Sequence, residues 1–551
     1  MTLTQLIKAE LINIVKKLQE SHYFDVDFNA DDLNFILGEP NLSVKTSSVA
    51  KRYDLSTNLA FVLKAYKKIN PMKIAECLVE KLANSFKFIY QVDIAPPGFL
   101  NIVLNDSAFI YIISNILEQK SLYAKNQVEG QKINVEYISA NPTGFLHVGH
   151  VRGAVFGSTL INVLRHIGYN VESEYYINDA GNQINILVNS LYVRYAALFG
   201  KNLKISDECY QGNDIIWVAQ QVKESYKDYF LDLNTNKHSE LKNLAVEILL
   251  NKIKDDLAKL NIHIDTFTSE NSLYEQDMIK PVLEKLAPYT YLKDGALFLK
   301  TSDFGDDKDR VLIKSDASNT YLLPDIAYHL TKIKKASRLI NIWGADHSGY
   351  VARMKIAFQC LGYNPKNLEV LIIQLVRLIK DGSEFKMSKR AGTSVTLADL
   401  LDVSSSDAIR FMMLTREISN KFDFDIDYAN SNNTNNPVFL VQYTYSRIVS
   451  LLKKIKKPHL NNTAKFTDKA KKIIITLDLF SDLIKTISVT SKVNLLSQYL
   501  LNLVKLFNSF YEQTYIQTNE QEESYAAMIE SIRIVMKIAL DLMGVNAPEQ
   551  M

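Results

Sequence analysis

The chain has 551 residues, 47% of them hydrophobic and 23% charged, with a formal net charge of +2. That length exceeds a single hydrophobic core and implies about three or four domains. The near-neutral balance excludes a histone-like basic binder but leaves room for local basic faces. Leu3, Ile7, Leu11, Ile14 and Leu18 recur at helical spacing and predict an amphipathic helix over 3–20. The same stretch carries Lys8, Glu10, Lys16 and Lys17 and lacks the apolar centre of a signal peptide or the acid-poor look of a transit peptide. Helices are expected near 58–65 and 71–83, the second with Pro71 at its first position and Asn70 as cap. Residues 87–92 and 99–104 read as strands joined by the turn Pro96-Pro97-Gly98. These elements make a small α+β domain, followed by a linker helix over 108–119 and a polar boundary at 125–132.

Residues 133–138 are rich in β-branched and aromatic side chains and predict a strand, and 151–167 predict a helix. Between them runs Ser139-Ala140-Asn141-Pro142-Thr143-Gly144-Phe145-Leu146-His147-Val148-Gly149-His150. A strand, a tight loop and a helix start form an anion site, because unpaired backbone N–H groups and the helix dipole face the ligand. Gly149 and Gly153 are expected to clear the first turn for a phosphate or ribose, and His147 and His150 to donate to phosphate oxygens without a permanent charge. Residues 171–177 predict a second strand, hence a β-α-β unit and a parallel sheet. The polar segment 178–183 then falls at the strand end where open sheets bind ligands. A helical, charged insertion is expected over about 190–290. Strands at 296–299, 310–313, 339–343 and 368–373, with helices at 324–335 and 348–361, complete a doubly wound sheet split by that insertion. From about 436 onward only helical patterns occur, over 438–456, 470–486, 497–513 and 525–543, so the C-terminal domain is all-α. Its first half interleaves basic residues, from Arg447 to Lys472, with Tyr443, Tyr445 and His459. That mixture suits phosphates and unstacked bases, although charge alone favours a solvated face. Cys77, Cys209 and Cys360 are far apart, which argues for a reducing compartment without disulfides or a zinc site. With no apolar run long enough to span a bilayer, a cytoplasmic protein is expected.

A second motif, Lys386-Met387-Ser388-Lys389-Arg390, lies on a glycine-bracketed loop. Mobile lysines there could offset charge that builds on a polyphosphate leaving group. Taken together, His147-Val148-Gly149-His150 and Lys386-Met387-Ser388-Lys389-Arg390 resemble the HIGH and KMSKS signatures of class I aminoacyl-tRNA synthetases. Blocks around Glu136–Gly157, 174–183, 304–311, 321–328, 436–443, Pro97-Gly98-Phe99-Leu100-Asn101-Ile102 and the closing Ala547-Pro548-Glu549-Gln550-Met551 resemble arginyl-tRNA synthetases in the family's order. The resemblance covers almost the whole chain and is weakest in the insertion.

The resemblance implies a Rossmann-type catalytic domain (126–425, insertion about 190–290), an N-terminal domain that touches the tRNA elbow (1–125) and a helical anticodon-binding domain (426–551). It implies ATP-dependent activation of L-arginine and transfer to tRNA(Arg), with bound tRNA needed for activation, magnesium arriving with ATP and no dedicated protein metal site, and a monomer. His147, His150, Lys386 and Lys389 match the catalytic positions, and Gly149, Met387 and Ser388 further ATP contacts. Glu136, Asp325 and Tyr321 match the guanidinium pocket, Asn141 and His347 the amino and carboxylate contacts, and Glu270 another pocket carboxylate. Phe99, Asn101, Gln442 and Tyr443 match tRNA contacts. Alternatives at single positions are a solvent-facing Glu136, a core Tyr321, an Asp325 that complements a helix dipole, a core Phe99 and a turn-capping Asn101. Ser404-Ser405-Ser406-Asp407 departs from the family's usual glycine, and altered helix capping is expected there. Lys389 is kept where many members have lost it, and Gln550 replaces a usual arginine. A cysteinyl synthetase is the rival enzyme, without the zinc ligands it would want; a non-catalytic tRNA-binding paralogue is the other alternative.

Overall fold

The computed structural model describes residues 1–40, 53–385 and 395–551. Five parallel strands form its central sheet: β1 (Lys132–Glu136), β2 (Asn170–Ile177), β3 (Thr266–Ser269), β4 (Arg338–Gly344) and β5 (Leu368–Ile373). Their spatial order is β5-β4-β1-β2-β3, with every neighbouring pair parallel. The chain order reverses between β1 and β4, and such a switch point leaves a crevice beyond the strands' carboxyl ends. β1 is buried on both faces beyond Lys132, as a central parallel strand must be.

The helix that follows β1 runs Val148–Ile167, three residues earlier than the hydrophobic pattern suggests, with His147 as its cap. A β-carbon on Gly157 would stand 2.4 Å from the Tyr137 ring, and one on Gly153 would stand 2.7 Å from Ile373 Cδ1. Gly153 therefore lets the helix press onto β5, a packing role in place of the expected opening toward a ligand.

Two expectations for the sheet change. Residues 296–299 and 310–313 are strands, but they join Thr290–Lys293 in a separate three-stranded antiparallel sheet. β3, inside the expected insertion, is the edge strand of the parallel sheet and pairs with β2. The helical insertion comprises Asn182–Ala197, Asn213–Tyr226 and Thr235–Lys259, gathered on their own apolar cluster. A further small sheet, formed by Val376–Lys380, Ser383–Glu384 and Phe422–Asp425, was not expected.

The N-terminal helix Leu3–Glu20, the Pro71–Ser85 helix with its Asn70 cap, and the strands Ile89–Ala95 and Phe99–Leu104 follow the sequence pattern. Leu37–Gly38 and Leu55–Thr57 extend that hairpin to four strands. In the C-terminal domain the helix expected over 470–486 is two, Asp468–Asp478 and Phe480–Thr490, beside Pro437–Leu452, Asn494–Tyr511 and Glu522–Met543. Ser405 caps the Ser406–Met413 helix by accepting from Ala408 N, as its position in the serine run suggests.

The two ends of the chain are tied together at Asp478. This buried carboxylate accepts from Leu3 N at 2.9 Å, Thr4 N at 2.7 Å and the Thr4 hydroxyl, so it caps the N-terminal helix from another domain. Lys8 adds an ion pair with Asp482 at 2.8 Å. Asp478→Ala leaves those donors buried without an acceptor and is expected to cost about 2–4 kcal/mol. A thermal melt combined with limited proteolysis should show a lower melting temperature and faster cutting near the N-terminus; an unchanged melt contradicts the joint.

Candidate functional site

A cavity of about 530 Å³ opens at the switch point. Its walls come from strand ends: Glu136, Ile138, Ser139 and Asn141 after β1, Tyr176 and Asn178 at β2, Glu270 just after β3, and Ile342, Trp343, Gly344 and His347 at β4. The Leu322–Ile333 helix closes one side with Asp325, Tyr328 and His329, preceded by Tyr321 as its cap residue. All six residues expected to hold the amino acid, Glu136, Asn141, Glu270, Tyr321, Asp325 and His347, line this one cavity. Tyr321 is exposed rather than core, and His347 is exposed at the rim.

Local conformation fixes these walls. Ile138 and Ser139 both have positive φ, 71° and 39°, which turns the chain sharply off β1. Ser139 Oγ then donates to Glu136 Oε1 at 3.2 Å and accepts from Tyr176 N at 3.1 Å. Asp179 accepts from Ser269 Oγ at 2.6 Å and Asn271 N at 3.0 Å, which holds Glu270 at the start of its short helix. Asn141 Nδ2 donates to Gln183 Oε1 at 2.7 Å, and Gln183 also lines the cavity.

The cavity is acidic, and burial shows in its titrations. Burial pushes Asp325 up to about 7, aided by Glu136 and Glu270 and opposed by the nearby Tyr350 hydroxyl and Lys332. Glu270 is also raised to about 7, chiefly by burial and then by Asp179, while Tyr176 opposes the rise. The Tyr176 and Tyr350 hydroxyls stand beside these carboxylates, buried and without a hydrogen bond of normal geometry. Carboxylates and hydroxyls in that condition await a polar, cationic ligand. Glu136 differs, because Lys332 Nζ already donates to its Oε2 at 2.7 Å.

At the other motif, His147 Nδ1 accepts from Gly149 N at 3.1 Å, and His150 Nδ1 faces His147 N at 3.4 Å. With Nδ1 acting as acceptor, a neutral ring carries its proton on Nε2. Burial lowers the His147 pKa, and burial together with His147 brings His150 down to about 3. The rings lie against each other, tilted by 31° with centroids 3.7 Å apart. Two uncharged Nε2–H donors at a helix start suit an anionic oxygen.

Lys386, Met387, Ser388, Lys389 and Arg390 lie outside the described residues, but both flanks are fixed. Phe385 N bonds to Leu378 O at 2.8 Å. Beyond the gap, Val395 O accepts from Val148 N at 3.0 Å, Leu397 N donates to Leu146 O at 2.7 Å, and Thr396 bridges His147. Residues 395–397 thus lie directly against the histidine motif. On the other side of the histidines, Phe145 packs into the insertion's cluster, edge-on to Trp217 at 5.4 Å.

The expected tRNA contacts divide. Along Phe99–Leu104 burial alternates, so Phe99 and Asn101 share the outer face and neither is core. Tyr443 is exposed and stacks on Phe439. Gln442 spends its amide hydrogens on Asp407 Oδ2 at 2.8 Å and Asn546 O at 2.9 Å, so it ties helical and catalytic domains together. Sequence reasoning missed Tyr176, Lys332 and Tyr350, while Gln183 belongs to the polar segment it placed at the strand end. Among the described residues no group of three or more His, Cys, Asp or Glu is placed to hold a metal, and no helix is long and apolar enough to cross a membrane.

Comparison with known proteins matches residues 112–427 to the family described as tRNA synthetases class I (R), catalytic domain. Residues 441–551 match the DALR anticodon binding domain and 1–104 the arginyl tRNA synthetase N terminal domain. An arginine–tRNA ligase of Staphylococcus aureus is 38% identical over 556 residues, covering 98% of this chain and 100% of that one. A solved Thermus thermophilus arginyl-tRNA synthetase superposes with a TM-score of 0.76 at 20% identity over the full length of both chains. That of Plasmodium falciparum gives a TM-score of 0.74 at 17% identity, over 100% of this chain and 99% of that one; at such identities both speak for the fold.

A β-carbon on Gly149 would stand 2.8 Å from the His147 ring. Gly149→Ala is therefore expected to displace His147 and slow adenylate formation about 10- to 100-fold with the fold intact, as read by circular dichroism. Turnover equal to the unaltered protein would contradict this placement of His147.

Proposed function

The chain belongs to the arginyl-tRNA synthetase family, and from that premise we propose that the acidic cavity is its arginine site and the His147/His150 helix start its ATP site. The reaction activates L-arginine with ATP to arginyl-adenylate, releasing pyrophosphate, then passes the arginyl group to the 3′ end of tRNA(Arg), releasing AMP. The observation that carries the assignment is the convergence of Glu136, Asn141, Glu270, Tyr321, Asp325 and His347 on one cavity beyond the strand ends.

In this reading Asp325 and Glu270 receive the guanidinium, a planar fork of donors that matches carboxylates. Glu136 supports them from below, and the Tyr321 hydroxyl adds a hydrogen bond at the rim. Asn141 and His347 hold the α-amino and carboxylate groups, so that the substrate carboxylate meets the α-phosphorus. No protein nucleophile is required. The carboxylate oxygen bonds to phosphorus as the bond to pyrophosphate breaks, and the terminal ribose hydroxyl later displaces AMP from the carbonyl carbon. The protein contributes positioning and charge stabilisation. The neutral imidazoles of His147 and His150 and the Gly149 backbone meet the phosphates. Lys386 and Lys389, with Met387 and Ser388 beside the nucleotide, meet the leaving pyrophosphate. Magnesium brought with ATP would supply further positive charge against the phosphates, with no dedicated protein ligands among the described residues.

Phe99 and Asn101 read an unstacked base at the tRNA elbow, and Tyr443 and the helical domain approach the anticodon. Gln442 joins this set through its carbonyl oxygen and through the interdomain bonds of its amide. Working borders are proposed near residues 125 and 425. Contact between Phe145 and the insertion supports activation that depends on bound tRNA, since movement of the insertion reaches His147 through two residues. A monomer is proposed from the family likeness, and free Cys77, Cys209 and Cys360 fit the cytoplasm.

ATP–pyrophosphate exchange with each amino acid, with and without tRNA(Arg), tests the reading. Exchange is expected for arginine alone and only with tRNA. Exchange for cysteine but not arginine overturns it, and tRNA binding without exchange or aminoacylation makes the chain a non-catalytic paralogue. Asp325→Asn should raise the KM for arginine about 100-fold or more, because the guanidinium loses a charged partner in a buried site. Below about pH 7 protonation of Asp325 and Glu270 removes the acceptors, so kcat/KM for arginine should fall from about pH 8 to about pH 6. A flat profile would remove the carboxylates from the contact.

A further inference from the structure

The cavity carries three carboxylates, Glu136, Glu270 and Asp325, for a substrate side chain with one positive charge. Directly beneath lies Lys332, 2% exposed, on the helix that bears Asp325. Lys332 Nζ donates to Glu136 Oε2 at 2.7 Å and to Asn341 Oδ1 at 3.0 Å, and lies 4.6 Å from the Tyr328 ring centroid. Asn341 Nδ2 stands 2.6 Å from His329 Nε2, and His329 Nδ1 stands 2.7 Å from the Asp325 carbonyl oxygen. Burial keeps His329 neutral. One proton arrangement satisfies every pair: lysine to Asn341, Asn341 amide to His329, and His329 Nδ1–H to the Asp325 backbone. No surface group interrupts this line, since Asn341 is 0% exposed and His329 2% exposed.

We propose that Lys332 is a specificity-determining positioning residue: it cancels the charge of Glu136 and, through Asn341 and His329, fixes the turn that carries Asp325, so that the cavity presents two uncompensated carboxylates to the guanidinium. This inference rests on the arginine-site reading above. Two carboxylates match the two-sided fork of donors that a guanidinium presents. Without Lys332, Glu136 adds a third charge, and the carboxylates repel one another toward their protonated, non-binding forms. With Lys332 but without Glu136, a buried cation opposes the substrate's own charge. The groups that face Asp325 are Glu136, Glu270, Lys332, Tyr176, Tyr274 and Tyr350, and of these only Glu136 and Lys332 form a pair of opposite charges. Removing either member alone therefore shifts the titration of Asp325, in opposite directions, and removing both restores it.

The test is the pH profile of kcat/KM for arginine in tRNA aminoacylation, for the unaltered protein and for Lys332→Met, Glu136→Gln and the double variant. Lys332→Met is expected to raise the KM for arginine on the order of tenfold with kcat less affected, and to move the acidic break to higher pH. Glu136→Gln moves the break to lower pH. The double variant returns the break to within a few tenths of its original position, a rescue that a merely structural lysine would not give. If Lys332→Met does not fold, Glu136→Gln and the double variant carry the comparison. The inference is overturned if the break stays put in either single variant that folds, or if the double variant keeps a single variant's displacement. Absence of arginine-dependent aminoacylation in the unaltered protein would instead reject the arginine-site reading itself.

Discussion

A carboxylate taken out of water must find a cation or a set of donors, and that requirement organises the cleft. Glu136 meets it within the protein, through Lys332 and Ser139. Among the described residues Asp325 and Glu270 make no ion pair of the kind that Lys332 makes with Glu136, and burial raises both. The difference separates a carboxylate that belongs to the scaffold from carboxylates that await a substrate. A pocket of this kind discriminates by penalty as much as by attraction. An uncharged analogue would leave acidic groups buried and unsatisfied, which costs several kcal/mol, whereas loss of a methylene costs only about 1–3 kcal/mol.

The sheet supplies the geometry. Five parallel strands end on one side, and reversal of order between β1 and β4 opens a gap that their loops line. The same β1 leads, through the left-handed pair Ile138 and Ser139, into the histidine cap of the next helix. Amino-acid pocket and phosphate site are thus two consequences of one strand–loop–helix unit. Val395, Thr396 and Leu397 return to the same unit, where they pair with Val148, His147 and Leu146. The histidine motif and residues 395–397, more than two hundred residues apart in sequence, share one hydrogen-bonded seam.

Much of this was legible in the chain. The histidine motif reads well because glycine and proline break the pattern between a β-branched run and a helix. The long amphipathic helices read well because their apolar spacing is regular, as at Leu3, Ile7 and Leu11. Less visible was β3, where Thr266-Phe267-Thr268-Ser269 is a half-buried edge strand set after a charged helix, with no apolar run to announce it. Tyr176 and Tyr350 were not singled out, since no sequence pattern separates a hydroxyl aimed at a cavity from one in contact with solvent. Lys332 was hidden among Lys334 and Lys335, which are exposed. The signal was helical spacing: Asp325, Tyr328, His329 and Lys332 fall at i, i+3, i+4 and i+7, so one face of that helix is polar and buried.

The central claim is that Asp325 and Glu270 close on the guanidinium in their ionised form, although burial leaves them near half-protonated at neutral pH when the cavity is empty. Calorimetric titration of L-arginine at about pH 7, in two buffers of different ionisation enthalpy, measures this directly. Proton release on binding, reduced in Asp325→Asn, is the result expected. Heats that do not depend on the buffer, with affinity unchanged by Asp325→Asn, would contradict the account.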